Sequence, residues 1–139
     1  MSGTHSTPHA TGGCLCGAVR YELHGPLREV VNCHCAQCRR THGHFAAYTN
    51  AKRANLVLHE SGGLKWYGSS DRARRGFCAE CGASLFWEPA GAEDISVAAG
   101  TLDAPTGLKT IANIYVSDKG DYYEIADGLP QMPSGLEAG

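Results

Sequence analysis

The stretch Asn32-Cys33-His34-Cys35-Ala36-Gln37-Cys38-Arg39-Arg40 sets three cysteines within six residues, with two arginines directly behind them. In an extended backbone Cys33 and Cys35 point one way and His34 the other. Cys38 follows Cys35 at the Cys-x-x-Cys spacing that lets two thiolates grip one ion. Zinc takes thiolate and imidazole ligands in a tetrahedral set, so three thiolates leave that set one short. Either a residue elsewhere completes it, or the fourth place is open to water or substrate, as in catalytic zinc.

The chain has seven cysteines in 139 residues. Its N-terminus, rich in Ser, Thr, His and Gly, has neither the basic nor the apolar region of a secretory signal, so a cytoplasmic location is expected. A reducing compartment and an odd cysteine count both favour metal sites over a disulfide framework. Cys16 and Cys81 are each followed by Gly, in Cys14-Leu15-Cys16-Gly17 and Cys78-Ala79-Glu80-Cys81-Gly82. Such knuckles wrap a metal by a sharp turn, and glycine tolerates the positive φ it needs. Cys14, Cys16, Cys78 and Cys81 therefore read as two halves of one closed structural site. It would staple the start of the domain to its middle across about sixty residues of chain, strongly disfavouring the unfolded state.

That leaves Cys33, Cys35 and Cys38. One reading is a second structural zinc completed by His34, His42 or His44. The other is a three-thiolate zinc with an open position. A metal-free redox thiol cluster is a third.

Working outward, Val19, Tyr21 and Leu23 alternate with Arg20 and Glu22, the pattern of a half-buried strand. Further strands are expected over 27–32, 45–49, 55–60, 64–67, 84–88 (with Leu85 and Trp87 facing together), 95–99 and 110–116, with a short one over 122–125. Ser61-Gly62-Gly63 reads as a hairpin-like turn, and Ala36 to His42 as one or two helical turns ended by Gly43. Glycine at 18 residues favours tight turns over long helices. No long stretch carries a clean helical period. The expected fold is mainly β: a single domain over 13–130, a flexible N-terminal tail over 1–12 and a C-terminal tail over 131–139. A net charge of −2 and the lack of a long basic stripe argue against nucleic acid. No apolar run approaches a membrane span.

Three motifs in order, 13–21 (Gly-Cys-Leu-Cys-Gly-Ala-Val-Arg-Tyr), 33–40 (Cys-His-Cys-Ala-Gln-Cys-Arg-Arg) and 75–85 (Arg-Gly-Phe-Cys-Ala-Glu-Cys-Gly-Ala-Ser-Leu), resemble the glutathione-dependent formaldehyde-activating enzyme family. That family also includes centromere protein V. Ile125-Ala126-Asp127-Gly128-Leu129-Pro130-Gln131 is similar to the family's closing signature, so the resemblance spans about 12–133. It implies a β-tent of short antiparallel sheets stapled by zinc. It also implies a structural zinc on Cys14, Cys16, Cys78 and Cys81 and a catalytic zinc on Cys33, Cys35 and Cys38. The implied activity is that of a carbon–sulfur lyase, with glutathione as co-substrate in forming S-hydroxymethylglutathione from formaldehyde. Two departures stand out: Asn113 where many members carry histidine, and His42 and His44 around Gly43.

Two zincs per chain are expected, the second held less completely. The expected small-molecule partner is a thiol or thiol adduct. Three thiolates give the open zinc a formal charge of −1, which suits a thiol ligand better than hydroxide generation. Arg39, Arg40 and Arg75, with Arg72 and Arg74, are candidates to hold glutathione's carboxylates, since a guanidinium fork matches a carboxylate. Tyr48, Trp66 and Tyr67 are candidate pocket walls. The competing expectations are a non-catalytic zinc-binding interaction module and a thiol redox sensor.

Overall fold

The computed structural model describes residues 9–136. In chain order its elements are β1 (Ala10–Gly13), β2 (Arg20–Leu23), β3 (Val30–Cys33), α1 (Ala36–His42), β4 (Ala46–Lys52), β5 (Leu56–Glu60), β6 (Leu64–Gly68), β7 (Ala73–Cys78), β8 (Ser84–Pro89), β9 (Asp94–Ala98) and β10 (Thr110–Ile114). They form a three-stranded sheet, β1-β2-β5, and a seven-stranded sheet, β10-β3-β4-β9-β8-β7-β6. The fold is mainly β, as the sequence implied. One pairing departs from an all-antiparallel scheme: β10 runs parallel to β3. No helix among the described residues is long and apolar enough to cross a membrane.

The period-2 pattern of each strand assigns its two faces. On β2, Tyr21 and Leu23 are fully buried. They meet Ala51, Leu56, Phe86, Ile95 and Val97, joining the inner faces of both sheets into the larger core. Gly76 sits between Trp66 and Phe86, whose rings stack with centroids 6.0 Å apart. A Cβ there would lie 3.0 Å from Trp66 and 3.1 Å from Phe86. The seven-stranded sheet's other face carries a smaller cluster of Cys33, Cys38, Ala46, Tyr48 and Ala98. The sheet thus has a core face and a site face.

Five expectations are corrected. The N-terminal tail ends before residue 12, because Ala10–Gly13 pairs with β2; residues 1–8 lie outside the described residues. The segment shows no apolar alternation, and Gly12 is buried where a Cβ would collide with Tyr21 and the Thr101 carbonyl. Ser61-Gly62-Gly63 does not close a hairpin: β5 and β6 belong to different sheets, and the turn carries the chain between them. Leu85 and Trp87 do not share a core. A register shift opposite Gly76 and Phe77 sends Leu85 into the larger core, and Trp87 packs on the site-face cluster.

The C-terminal tail, finally, docks beside β10. Asn113 N donates to Pro130 O (2.8 Å), Met132 N to Asn113 O (2.9 Å) and Tyr115 N to Ser134 O (2.9 Å). Residues 137–139 lie outside the described residues. The short strand expected at 122–125 is irregular; the Tyr122 and Tyr123 rings instead pack on His44.

Gly63 is a sensitive joint. Its N–H donates to Ala18 O (3.1 Å) and its carbonyl accepts from Ala79 N (2.7 Å). A Cβ would lie 2.7 Å from Ala18 Cβ and 2.9 Å from Cys78 Sγ, whereas one at Gly62 meets nothing within 4 Å. Gly63→Ala is expected to lower unfolding free energy by about 1–3 kcal/mol through overpacking. Gly62→Ala should be tolerated; equal denaturation midpoints for the two variants would contradict the assignment.

Candidate metal centre and adjoining cavity

All seven cysteines are free thiols, and they fall into the two groups the motifs suggested. In the first, Cys14 and Cys16 follow β1 while Cys78 and Cys81 close β7. The sulfur ligand atoms all lie within 4.8 Å of one another. Cys16 Sγ is 3.7 Å from both Cys14 Sγ and Cys78 Sγ. A zinc–sulfur bond of about 2.3 Å gives a tetrahedron with edges of about 3.8 Å. The set therefore fits zinc. Gly17 and Gly82 take φ of 85° and 82°, the left-handed turns that let each knuckle reverse. Backbone N–H groups point at the sulfurs: Val19 N to Cys14 Sγ (3.2 Å) and Cys81 N to Cys78 Sγ (3.5 Å). The Ala83 N–H beside Cys81 holds its thiol down to about 6, the direction a metal thiolate requires.

The second group is Cys33 at the end of β3, Cys35 at the helix N-cap and Cys38 in the first turn of α1. Their sulfurs also lie within 4.8 Å of one another. Cys38 N donates to Cys35 Sγ (3.3 Å), so this thiolate-type cap replaces the usual oxygen. Hydrogen bonds from Cys33 and then Cys38 pull the Cys35 thiol down to about 2, and the sharing with Cys35 pushes Cys33 up.

No histidine or carboxylate completes this second set among the described residues. His34 is 2% exposed and committed at both ring nitrogens, Nδ1 to the Tyr123 hydroxyl and Nε2 to Asn113 Oδ1 (2.9 Å). Asn113 Nδ2 in turn donates to Asp127 Oδ2 (3.1 Å), tying the C-terminal segment to the cysteine loop. His42 Nε2 meets the Tyr48 hydroxyl at 3.0 Å, and His44 Nδ1 the Tyr122 hydroxyl at 2.7 Å.

Arg75 supplies the charge partner. It is 7% exposed, and no carboxylate pairs with it among the described residues. Nη2 lies 3.7 Å from Cys38 Sγ and 3.3 Å from Gln37 Oε1. Nη1 donates to the Tyr48 hydroxyl (3.1 Å) and to Thr41 Oγ1 (3.3 Å). Nε has no partner. A guanidinium withdrawn from water needs an anion nearby. Among the described residues the groups in its reach best able to carry negative charge are the sulfurs, so the site suits three thiolates on a divalent ion, whose −1 charge Arg75 would balance.

The three cysteines border a cavity of about 580 Å³. Its floor is the site face of the seven-stranded sheet: Val31 and Cys33 of β3, Tyr48 and Asn50 of β4, Ser96 of β9, Trp87 of β8 and Ile114 of β10. Ala36, Gln37 and Cys38 also line it, together with Tyr115, Asp118, Gly135 and Leu136 from the chain beyond β10. Arg39 and Arg40 do not line it, because the helical turn carries them past the face that Cys38 presents. Arg72 is exposed and also outside it. Arg74 is bound to Glu88 (2.7 Å) and stacked 3.9 Å over Trp66. Of the expected pocket walls, Tyr48 lines this cavity. Tyr67 lines a neighbouring one of about 250 Å³, and Trp66 packs on the larger core. Arg28, Asn50, Ser96, Trp87 and Asp118 were not foreseen. The alternation of β4 placed Tyr48 and Asn50 on one face, but nothing local said which strands would flank them.

A mainly β protein with one closed set of four cysteines and one set of three on a cavity wall defines the class. A profile of the glutathione-dependent formaldehyde-activating enzyme family matches residues 9–118, and the chain belongs to that family. The match stops short of the 125–131 stretch. Among relatives, a Schizosaccharomyces pombe protein described as an uncharacterized lyase is 27% identical over 122 residues, covering 86% of this chain and 88% of its own. A Halomonas elongata protein provisionally named as a glutathione-dependent formaldehyde-activating enzyme is 28% identical over 125 residues, covering 82% of this chain and 79% of its own. A crystal structure of a Rhodobacter sphaeroides protein aligns with a TM-score of 0.58 at 26% identity, covering 68% of this chain and 88% of that one.

Burial, and then Arg75, press His42 down to about 4, below its ordinary 6.5. The unfolded chain therefore binds a proton on His42 at higher pH than the folded chain. The stability from neutral His42 is complete above pH 6.5 and is lost as pH falls towards 4. Relative to His42→Gln, the native protein should lose unfolding free energy between pH 7 and pH 5. A difference that stays constant by urea denaturation across that range would refute this.

Proposed function

We propose that this protein is a zinc-dependent carbon–sulfur lyase acting on thiol adducts of formaldehyde or a related aldehyde, with glutathione as the thiol. The observation that carries this reading is the three-cysteine cluster on the cavity wall, charge-balanced by Arg75 and lacking a fourth protein ligand among the described residues. Family membership and a lyase-named relative support it.

In the forming direction, the thiol sulfur attacks the carbonyl carbon and a C–S bond forms. The C=O π pair moves to oxygen, and the proton lost by sulfur ends on that oxygen. Cleavage is the reverse, with no net oxidation. Cys33, Cys35 and Cys38 would hold zinc, which supplies acidification of a bound thiol. The chain does the rest. Arg75 offsets the charge of the thiolates, so that another anionic sulfur is accepted. Trp87, Val31 and Ile114 make an apolar floor that restricts water around the adduct. The Tyr48 hydroxyl accepts from Arg75 Nη1 and donates to neutral His42 Nε2, a fixed chain on which a proton can pass to and from the oxygen.

Two tests follow. Native protein should carry two zincs, one removed by mild chelation and retained when glutathione is present. Cys35→Ser should fold, keep one zinc and lose activity. Two equally resistant zincs, or unchanged turnover in Cys35→Ser, would overturn the reading. Tyr48→Phe should lower kcat about 100-fold or more with zinc content intact. Unchanged kcat would remove Tyr48 from proton transfer.

A further inference from the structure

Two arginines lining the cavity lack a carboxylate partner among the described residues. Arg75 faces the sulfurs. Arg28, just before β3, is the second, and no motif contains it. Its backbone is fixed to β4: Arg28 N donates to Asn50 O (3.1 Å), and its carbonyl accepts from Thr49 Oγ1 (2.5 Å). Its guanidinium is partly spent, with Nε on Glu29 O (3.1 Å) and one terminal nitrogen, Nη2, on Tyr48 O (3.0 Å). Nη1 donates to no protein group among the described residues. Asp94, the carboxylate that acts on Arg28 through space, is itself 3.5 Å from Lys52 Nζ.

The floor around Arg28 is polar, unlike the rest. Asn50 Nδ2 donates to Ser96 Oγ (3.3 Å), leaving the Ser96 hydroxyl hydrogen free to donate. Asn50 lies two residues beyond Tyr48 on β4, so this polar end is about 7 Å along the strand from the tyrosine that packs on the cysteines. The cavity therefore has two poles: a sulfur pole at Cys33, Cys35, Cys38 and Arg75, and a cationic hydrogen-bonding pole at Arg28, Asn50 and Ser96. One guanidinium flanked by neutral donors matches a singly charged carboxylate; a dianionic phosphate would call for more positive charge.

We propose that Arg28, with Asn50 and Ser96, is the carboxylate-binding subsite of the cavity, and that the preferred thiol carries a carboxylate remote from its sulfur. This rests on reading the three-cysteine cavity as a thiol site. It replaces Arg39 and Arg40, which lie outside the cavity, as the carboxylate partners.

The test separates binding from turnover. Zinc-loaded native protein and Arg28→Gln are titrated calorimetrically with glutathione and with its diethyl ester. Formaldehyde adduct turnover is then measured with glutathione and with 2-mercaptoethanol. Native protein should bind the free acid about 10- to 100-fold more tightly than the ester. Arg28→Gln should erase that preference, raise KM for glutathione by a similar factor, and leave kcat and 2-mercaptoethanol turnover unchanged. Arg28→Lys should restore part of the preference. An equal loss for acid and ester, or for both thiols, would show a merely structural arginine and overturn the proposal. A preference that survives in Arg28→Gln would overturn it too. Acid-selective binding that depends on Arg28 without any turnover would uphold this subsite and reject the lyase reading instead.

Discussion

Four sulfurs from two distant knuckles converge where the two sheets meet, Cys16 reaching across 62 residues to Cys78. The first knuckle follows β1 of the small sheet, and the second ends β7 of the large one. Gly63 is wedged against both, at the crossing from one sheet to the other. Short strands of four to seven residues bury too little surface to hold such a junction alone. A metal held there would supply cross-linking free energy directly to folding. With the sheets pinned at that corner, the long central strand β4 can offer one face to the core and the other to chemistry.

The second sulfur group obeys a different constraint, that of charge. Three sulfurs and a guanidinium share a space largely closed to water, where a thiolate and the guanidinium each offset the cost of burying the other's charge. Arg75 belongs to the segment that leads into the closed knuckle, while Cys38 belongs to α1. The contact between them links the two cysteine groups mechanically, because β7 ends at Cys78 three residues after Arg75. The site's electrostatics are thus an outgrowth of the strand that anchors the staple.

Much of this was readable from residue order. The four-plus-three division came from glycine after Cys16 and Cys81 and arginine after Cys38. Strand alternation at Val19, Tyr21 and Leu23 and the helix stop at Gly43 are local signals, and they survive in the structure. What was not readable depends on partners far away in sequence. Thr11-Gly12-Gly13 has no strand pattern, and only the edge of β2 makes it one. Arginine clusters near the cysteines looked like ligand contacts, yet helix rotation (Arg39, Arg40), the Glu88 pair and Trp66 stack (Arg74) and plain exposure (Arg72) remove all but Arg75. Arg28 reaches the cavity because β3 and β4 are neighbours, which no short stretch reveals. His34, a plausible ligand by spacing, is claimed by Asn113 and Tyr123 from the other end of the chain.

The cavity's two sides have unequal histories available to them. Its sulfur side is made by β3 and α1, locked to the junction and the core. Another part of its lining, Gly135 and Leu136, follows residues 130–134, whose backbone bonds hold that segment to β10 and the turn after it, and lies beyond the stretch that the family profile covers. Residues there can be exchanged in evolution at little cost to the framework. Related chains can therefore keep one reactive centre while trading the shape of the opening above it, so diversification of substrates need not pass through loss of the fold.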